Sequence, residues 1–307
     1  MAWLKNPFAK TPDTPEQAAA RERSAAWEAA LSHDHLPPFV EARLHEAKAG
    51  TTPWTSTMTP AELLLAKHRG VHPIATVSGT CWYQYGRSWT EGHAAGWRSA
   101  LHRIKAEAKA CGANAVVDVK MRTVHGIGDG QSMDFTLVGT AIRLDGVPAS
   151  SDPIVATAPL LDFMRLMQAG IVPVGIAVGA QYNWLIDYQK VFGGSWTSSN
   201  QVLSTLSAFW EDLRRDAHAE LRADTKRQGN GVLAHTQLGQ LMKVEGDPLR
   251  YLGRHIVVGT VVQAGEKSAI DFGIQTVVDM RDDLSPLFAP DPHAPGAHDF
   301  NEREGGI

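Results

Sequence analysis

The sequence predicts an α+β protein built from two β-α-β-β units in tandem, preceded by a helical arm and followed by a disordered tail. Three observations support this prediction. The chain of 307 residues is long enough for about two domains. Three short motifs recur in the same order along it. Each copy also contains one long helical stripe of apolar residues between strand-like segments.

The first repeated motif opens each unit. Gly70–Gly79 and Gly170–Gly179 both begin with Gly-x-x-Pro, end in glycine and share apolar positions. A tyrosine follows each motif, at Tyr83 and Tyr182. Each match is short, and the common order of this and the following motifs is what makes the repeat specific.

Two further motifs close the unit. Asn114, within 113–117, has its counterpart in Asn230, within 229–233. The Gly-Thr pair at 139–140 recurs at 259–260 between apolar residues. The growing spacing indicates one unit that was duplicated and then received insertions. We expect the two asparagines to serve the turn structurally, because asparagine tolerates left-handed backbone and bonds nearby main chain.

The repeat predicts the elements of each unit. We expect short helices at about 60–69 and 159–168, strands at about 72–78 and 172–178, and polar loops with aromatic residues at 80–90 and 180–198. The long helix of the first copy follows from the apolar spacing of Trp97, Leu101, Ile104, Ala108 and Cys111. Thr90 is its predicted N-cap and Gly112 its predicted stop. The second long helix carries the stripe Val202, Leu206, Phe209, Leu213, Ala217 and Leu221, with Ser198 or Ser199 as its cap and Gly229 as its stop.

Two strands complete each unit. In the first copy we expect strands at 115–124 and 135–144, joined by a hairpin turn at 126–130. The corresponding turn of the second copy is predicted at 245–248, and an added strand at 269–280. The predicted domains are therefore an N-terminal helical arm (1–57), two units (58–146 and 155–280) and a disordered tail (281–307). Three strands and one helix leave sheet edges and a sheet face bare, so we expect docking within the chain, oligomerisation or both.

Composition excludes several classes of protein. A net charge of −4, with 29 scattered Lys and Arg residues, argues against a nucleic-acid-binding protein. Two cysteines do not make a disulfide framework, so we expect a reducing, cytoplasmic location. Leu166–Ile186 has no charged residue, but its glycines, proline and amides favour a core strand over a membrane span. No catalytic motif is found, and the Gly-x-Gly-x-Gly run at 126–130 lacks the context of a phosphate loop, so we do not expect an enzyme.

These motifs resemble a known family. Gly112–Val119, preceded by a helix and followed by Phe135–Ile142, resembles the YbjQ-like family, to which a heavy-metal-binding role is ascribed. The likeness covers about 70–144 well and 170–262 more loosely. It implies a dodecin-like β-α-β-β unit that assembles into a homopentameric ring. It also implies a divalent transition-metal ion as the ligand to test for, although no ligand set transfers to these residues.

The residues themselves give only weak candidates for metal binding. His33 and His35 form a compact pair outside the repeats, and a solvated loop is the competing interpretation. His93 and Cys111 lie at opposite ends of the first long helix, and Cys111 also fits the apolar stripe. A ring could bring single histidines from several subunits together.

Aromatic residues in the two predicted loops are the candidates for an interface. They mix with polar groups, which is typical of interfaces and nearly as typical of core residues; the candidates are Trp82, Tyr83, Tyr85, Trp89, Tyr182, Trp184 and Trp196. We therefore predict a ring-forming binding protein, with a scaffold or adaptor that recruits a protein partner through residues 1–57 as the alternative.

Overall fold

A computed structural model describes residues 14–33, 35–84, 88–125, 132–187, 204–244 and 249–264. The helices are α1 (Pro15–Ser32), α2 (Pro38–Ala49), α3 (Pro60–His68), α4 (Trp89–Ala110), α5 (Leu160–Gln168) and α6 (Ser204–Gln228). The strands are β1 (Val71–Gln84), β2 (Ala115–His125), β3 (Ser132–Leu144), β4 (Ile154–Val155), β5 (Ile171–Asp187), β6 (Gly231–Val244) and β7 (Leu249–Ala264). We call α3, β1, α4, β2 and β3 the first module, and α5, β5, α6, β6 and β7 the second module.

The two modules share one topology. The first sheet has the order β1-β3-β2-β4 and the second the order β5-β7-β6, so the third strand of each module lies between the other two. All pairs within a module are antiparallel, and β4 joins β2 in parallel. The pairing shifts register directly after Pro73 and after Pro173, at the same place in both modules. The predicted α+β class with repeated β-α-β-β order is therefore confirmed.

The closing glycine of the first motif lets each long helix approach its strand. A Cβ atom added to Gly79 would lie 2.1 Å from the backbone oxygen of Ala100, and one added to Gly179 would lie 2.0 Å from that of Ala217. No side chain fits at that distance, so glycine is required at both positions. Gly112 has φ +76 and ends the first long helix, as predicted.

Helix carboxylates cover part of one edge of each sheet, at β1 and β5. On β1, the Ser78 N–H donates to Glu107 Oε2 at 2.9 Å. On β5, the Val178 N–H donates to Asp224 Oδ2 at 3.2 Å and the Ala180 N–H to Glu220 Oε2 at 2.9 Å. Both strands lie at sheet edges, so these bonds satisfy N–H groups that no neighbouring strand reaches.

The segment between the modules joins them. Ala156 N donates to Val116 O at 2.9 Å and Asp118 N donates to Ala158 O at 2.9 Å, so the segment extends along the outer edge of β2. In the same stretch, Thr157 N and Ala158 N both donate to the buried Thr260 Oγ1, at 3.0 and 3.1 Å. One short segment thereby contacts both sheets.

Two local predictions are wrong. The aromatic segments predicted as loops at 80–90 and 180–198 begin as strands, because β1 stays paired with β3 through Gln84 and β5 with β7 through Asp187. The N-cap of α4 is Ser88 and not Thr90: Ser88 has extended backbone and its hydroxyl accepts from Glu91 N.

The helical arm is confirmed as two helices separated at Pro37-Pro38. Its second helix is docked onto the first module, since Leu44 is fully buried and Arg43 bonds Glu107 at 3.0 Å. The two repeated asparagines bond the backbone as expected: Leu144 N donates to Asn114 Oδ1 and Ala264 N to Asn230 Oδ1. Neither asparagine adopts the left-handed backbone conformation that we expected.

Several predictions fall outside the described residues, namely the turns at 126–130 and 245–248, the Ser198 and Ser199 caps, the strand at 269–280 and the tail at 281–307. The domain boundaries themselves stay predictions. The uncharged stretch Leu166–Ile186 forms the end of α5 and most of β5. Within the described ranges, no helix has the length and apolar character needed to cross a membrane.

Candidate functional site between the two modules

Helix α4 contacts both sheets. On one side it packs against β1 and β3 of its own module, and on the other against β5 of the second module. Trp97 of α4 therefore shares a continuous buried core with Ile176 and Ala180 of β5. The face of the second sheet that α6 leaves open is covered in this way by the first module.

A cluster of aromatic rings and histidines fills one end of this contact. Tyr182 of β5 stacks on Trp89 with ring centroids 5.8 Å apart and an interplanar angle of 21°. The rings of His93 and His125 each lie 5.7 Å from the ring of Tyr182. The tyrosine of the second module thus inserts among three rings of the first.

Arg254 of β7 enters the same cluster. Its guanidinium bonds His125 Nδ1 on one side and Gln240 Oε1 on the other. With Nδ1 accepting from the arginine, His125 Nε2 carries the proton and lies 3.2 Å from the Tyr182 hydroxyl. The chain of contacts Gln240, Arg254, His125 and Tyr182 crosses from one module to the other.

The electrostatics of the cluster favour neutral histidines. Burial, assisted by the charges of His125 and Arg254, lowers the pKa of His93 to about 3. Burial and the Arg254 charge lower the pKa of His125 to about 4. Burial raises the pKa of the Tyr182 hydroxyl well above its usual range. At neutral pH both histidines are therefore uncharged, and Tyr182 keeps its proton.

The cluster is built for packing more than for proton transfer. His93 Nε2 accepts from Trp97 Nε1–H at 2.9 Å, while its Nδ1 is buried without a hydrogen-bond partner in the described part of the chain. A general base needs access to its substrate and a pKa near the working pH, and His93 is fully buried. In the ranges that the structure covers, no group of three His, Cys, Asp or Glu side chains is suited to a metal ion.

The predicted metal candidates lie in three separate environments. His33 and His35 are exposed at the end of α1, and His33 Nδ1 lies 3.0 Å from Ala29 O. His93 is enclosed among aromatic rings, and Cys111 is buried, with burial raising the pKa of its thiol to about 11. The structure therefore does not bring these four residues together in one chain.

The predicted interface residues divide into two groups. Trp89 and Tyr182 lie in the contact between the modules, and Tyr83 packs against the same core. Trp82 is 78% exposed and Trp184 is 43% exposed. Tyr85 and Trp196 fall outside the described residues.

Sequence reasoning missed His125 and Arg254. Both lie on strands that read as ordinary alternating segments, and they meet only because the second sheet docks on the first module. The arginine on β7 is buried, with 7% of its surface exposed, and that burial cannot be read from its local sequence.

Another cavity lies between the N-terminal arm and α4. It has a volume of about 500 Å³, with Trp27 and Leu31 on one side, Arg98 and Arg103 on the other, and Glu107 at its base. The Glu107 carboxylate already accepts from Ser78 N and Arg43. Burial raises its pKa.

Two comparisons with known proteins found similar sequences. Residues 83–145 match a family model described as "Putative heavy-metal-binding". A protein of Mycobacterium tuberculosis named as an encapsulin nanocompartment protein is 27% identical over 167 residues, which cover 48% of this chain and 62% of that protein. No solved structure matches.

The matched residues extend from the end of β1 through β3, and so include α4 and both of the motifs on which the resemblance was based. Over residues 83–145 the first module is therefore similar to the YbjQ-like family.

Proposed function

We propose that this protein is a non-catalytic, ring-forming subunit of a homo-oligomeric assembly, with the second module as another YbjQ-like domain. The observation that carries the proposal is Trp82, which is exposed on the open face of the first sheet. The corresponding face of the second sheet is occupied within the chain.

Trp82 and Tyr182 are equivalent residues. Trp82 pairs with Asp134 on β3, and Tyr182 pairs with Arg254 on β7. Asp134 and Arg254 each lie six residues before the threonine of the Gly-Thr motif. Tyr182 is 9% exposed because the first module covers it, whereas Trp82 is 78% exposed. An exposed tryptophan beside polar side chains is a common anchor of protein–protein contacts.

The contact between the modules is heterologous, since a helix of one module lies on a sheet of the other. Such contacts produce rings or open arrays when they repeat between chains. The exposed sheet face carries Thr80, Asp134 and Thr136, where its counterpart carries Ala180, Arg254 and Ile256. A polar surface of this kind suits an association weaker than the internal one.

The comparisons support the proposal at a coarser level. The similar mycobacterial protein is named as an encapsulin nanocompartment protein, and that name agrees with a role in an assembly. The resemblance to YbjQ-like proteins leads us to propose a pentamer as the ring order.

Native mass spectrometry and light scattering across a range of concentrations test this proposal. We expect the mass to rise to a defined oligomer, and we expect Trp82→Ser to weaken its association constant roughly 10-fold or more. Trp184→Ser, which truncates another exposed tryptophan, is the matched control and should leave the mass unchanged. A single-chain mass at every concentration would refute self-assembly and favour the adaptor alternative.

Metal binding is a second candidate, supported by the description of the matched family. Since the candidate histidines are dispersed within one chain, we propose that any site would combine His33 or His35 from several copies. Elemental analysis of the purified oligomer should then find a divalent transition metal at less than one ion per chain. The His33→Ala, His35→Ala double variant should lack it, while His45→Ala, on the next helix, should retain it.

The adaptor alternative needs a milder test than deleting residues 1–57. Leu44 is fully buried against the first module, so deletion would open its core. Leu31→Ser and Phe39→Ser change side chains that are 49% and 42% exposed on the arm. Loss of a defined protein partner in these variants, with the fold intact, would support recruitment through the arm.

A further inference from the structure

We infer that residues 54–58 of one chain pair with the outer edge of β6 in a second copy, in the way that residues 154–158 pair with β2 within the chain. This inference rests on the proposed self-assembly and names the surfaces that carry it. The partner is a second copy of the same chain, bound head to tail.

The internal joint supplies the geometry. Ile154 N donates to Asn114 O at 3.0 Å, Ala156 N donates to Val116 O at 2.9 Å, and Val119 N donates to Ala156 O at 3.1 Å. Residues 115 and 116 pair in parallel with 154 and 155. The segment that leads into α5 thereby serves as an extra strand on the first sheet.

The segment that leads into α3 is anchored in the same manner. Thr157 N donates to Thr260 Oγ1 at 3.0 Å, with the two hydroxyls 2.8 Å apart. Thr57 N donates to Thr140 Oγ1 at 2.8 Å, with the two hydroxyls 2.9 Å apart. Residues 54–58 therefore hold the same position on the first module that 154–158 hold on the second.

The equivalent edge strands β2 and β6 differ in how exposed their residues are. Val117 pairs with Thr140 and is fully buried, whereas Leu233 pairs with Thr260 and is 36% exposed. β6 lies at the edge of its sheet, and in the described part of the chain no strand pairs with its outer side. The second module thus presents an apolar edge that the first module has covered.

The front of the first module shows the complementary pattern. Met164, the fifth residue of α5, is 2% exposed, while Leu64, the fifth residue of α3, is 64% exposed. Trp54, the counterpart of the half-buried Ile154, is 54% exposed. These side chains are apolar, lie at one end of the chain, and occupy positions whose counterparts are covered in the internal joint.

The two patterns fit one contact. Repeating the internal joint between chains would place Trp54 and Leu64 of one copy against the β6 edge and Leu233 of the next. The same repetition would bring Trp82 into the position that Tyr182 holds inside the chain. Three exposed apolar residues at the front and one at the rear are accounted for by one heterologous interface.

Cysteine cross-linking between two different variants tests the pairing. Val116 pairs with Val155, so the corresponding residues across the proposed interface are Val232 and Thr55. Neighbouring strands lie about 5 Å apart, within reach of a short thiol cross-linker. The two native cysteines, Cys81 and Cys111, are buried.

We expect Thr55→Cys chains mixed with Val232→Cys chains to cross-link into dimers, whereas neither variant alone does so. Thr55→Cys mixed with Thr205→Cys, an exposed position on α6, is the matched control and should remain uncross-linked. Oligomers that form without this cross-link would overturn the inference and leave self-assembly standing. Absence of any oligomer would overturn both.

A second variant tests the edge without cysteines. We expect Leu233→Asp to reduce the association constant roughly 10-fold or more, because it places a charge in an apolar contact. Ile186→Asp, at a β5 residue that is 39% exposed, should leave association unchanged. Cross-linking of Thr55 to Val232 within one doubly substituted chain, or equal association of both aspartate variants, would contradict the head-to-tail pairing.

Discussion

At the scale of single residues, each module uses a glycine to make room for a phenylalanine on the facing element. In the first module Gly96 on α4 gives room to Phe135 on β3, because an added Cβ would lie 2.1 Å from the phenyl ring. In the second module Gly253 on β7 gives room to Phe209 on α6, where an added Cβ would lie 2.4 Å from the ring. The two pairs are not equivalent, since Phe135 lies five residues before Thr140 and Gly253 seven residues before Thr260, so each module places its aromatic ring at a different point between helix and sheet.

The close contact between Gly96 and Phe135 predicts that Gly96→Ala destabilises the protein. Alanine in a helix normally gains up to about 1 kcal/mol over glycine. Here the added methyl group meets the fully buried Phe135, and overpacking a core costs about 1–3 kcal/mol. We expect a net loss in the free energy of unfolding, measured by urea denaturation. The double variant Gly96→Ala, Phe135→Leu should recover most of it, and a single variant as stable as the wild type would contradict the packing argument.

At the scale of elements, a buried threonine positions the helix that opens each module. Thr140 and Thr260 are both fully buried, and each accepts a hydrogen bond from the segment before α3 or α5. The Gly-Thr motif is thereby explained: threonine provides the acceptor, and a Cβ at Gly139 or Gly259 would lie 2.8 or 2.5 Å from atoms of the neighbouring strand.

We therefore expect Thr260→Val to lower the free energy of unfolding by roughly 2–4 kcal/mol. The substitution keeps the shape of the side chain but leaves Thr157 N and Ala158 N without an acceptor, and each unsatisfied buried group costs about 1–3 kcal/mol. Thr205→Val on the exposed surface of α6 is the control and should change stability by less than about 0.5 kcal/mol. Equal stabilities of the two variants would show that water replaces the lost acceptor.

The sequence alone predicted most helices and strands, but not where all of them end. The spacing of Trp97, Leu101 and Ile104 predicted α4, and the repeated glycines predicted the strand after each short helix. The ends of β1 and β5 were missed, because Cys81-Trp82-Tyr83-Gln84 has the mixed composition of a loop and becomes a strand only through its pairing with β3. β4 was missed because two residues carry no periodic signal.

The same limit applies to the candidate site. Tyr182 was predicted as an interface residue, and it does lie in an interface, but one within the chain. His125 and Arg254 were not predicted, because each gains its role from a module far away in sequence. Local patterns therefore indicate the module, whereas the contact between modules depends on long-range packing.

At the scale of the whole molecule, the two modules share one core. Ile176, Ala180 and Tyr182 of the second module belong to the same buried cluster as Trp97 and Phe135 of the first. Modules joined by a core of this kind should unfold together. The histidines in the contact then make that shared stability dependent on pH.

We expect the protein to lose stability as the pH falls below about 6.5. The folded-state pKa values of His93 and His125 are about 3 and 4, below the unfolded value of 6.5. Between pH 6.5 and 4 the unfolded chain therefore binds protons that the folded chain does not. For each histidine, the free energy of unfolding decreases by at most about 1.4 kcal/mol for every unit by which the pH is lowered. Urea unfolding at pH 7.5, 6.5 and 5.5 measures this slope.

His125→Gln should flatten that slope, because it removes one of the two groups, even if it also lowers stability at pH 7.5. His45→Gln, at an exposed position of α2, should leave the slope unchanged. Parallel slopes for the wild type and His125→Gln would show that His125 does not contribute to the pH dependence.

The two sheet faces differ in polarity, and this difference has a consequence for how a closed ring would dissociate. The interface within the chain is lined by the apolar Ile176 and Ile256, and a covalent linker also joins its two modules. The proposed interface between chains would contain threonines and an aspartate around Trp82. Strong interfaces within chains and weak interfaces between chains would then alternate around the ring. On dilution such a particle would shed intact two-module pieces, and the number of modules in it would always be even.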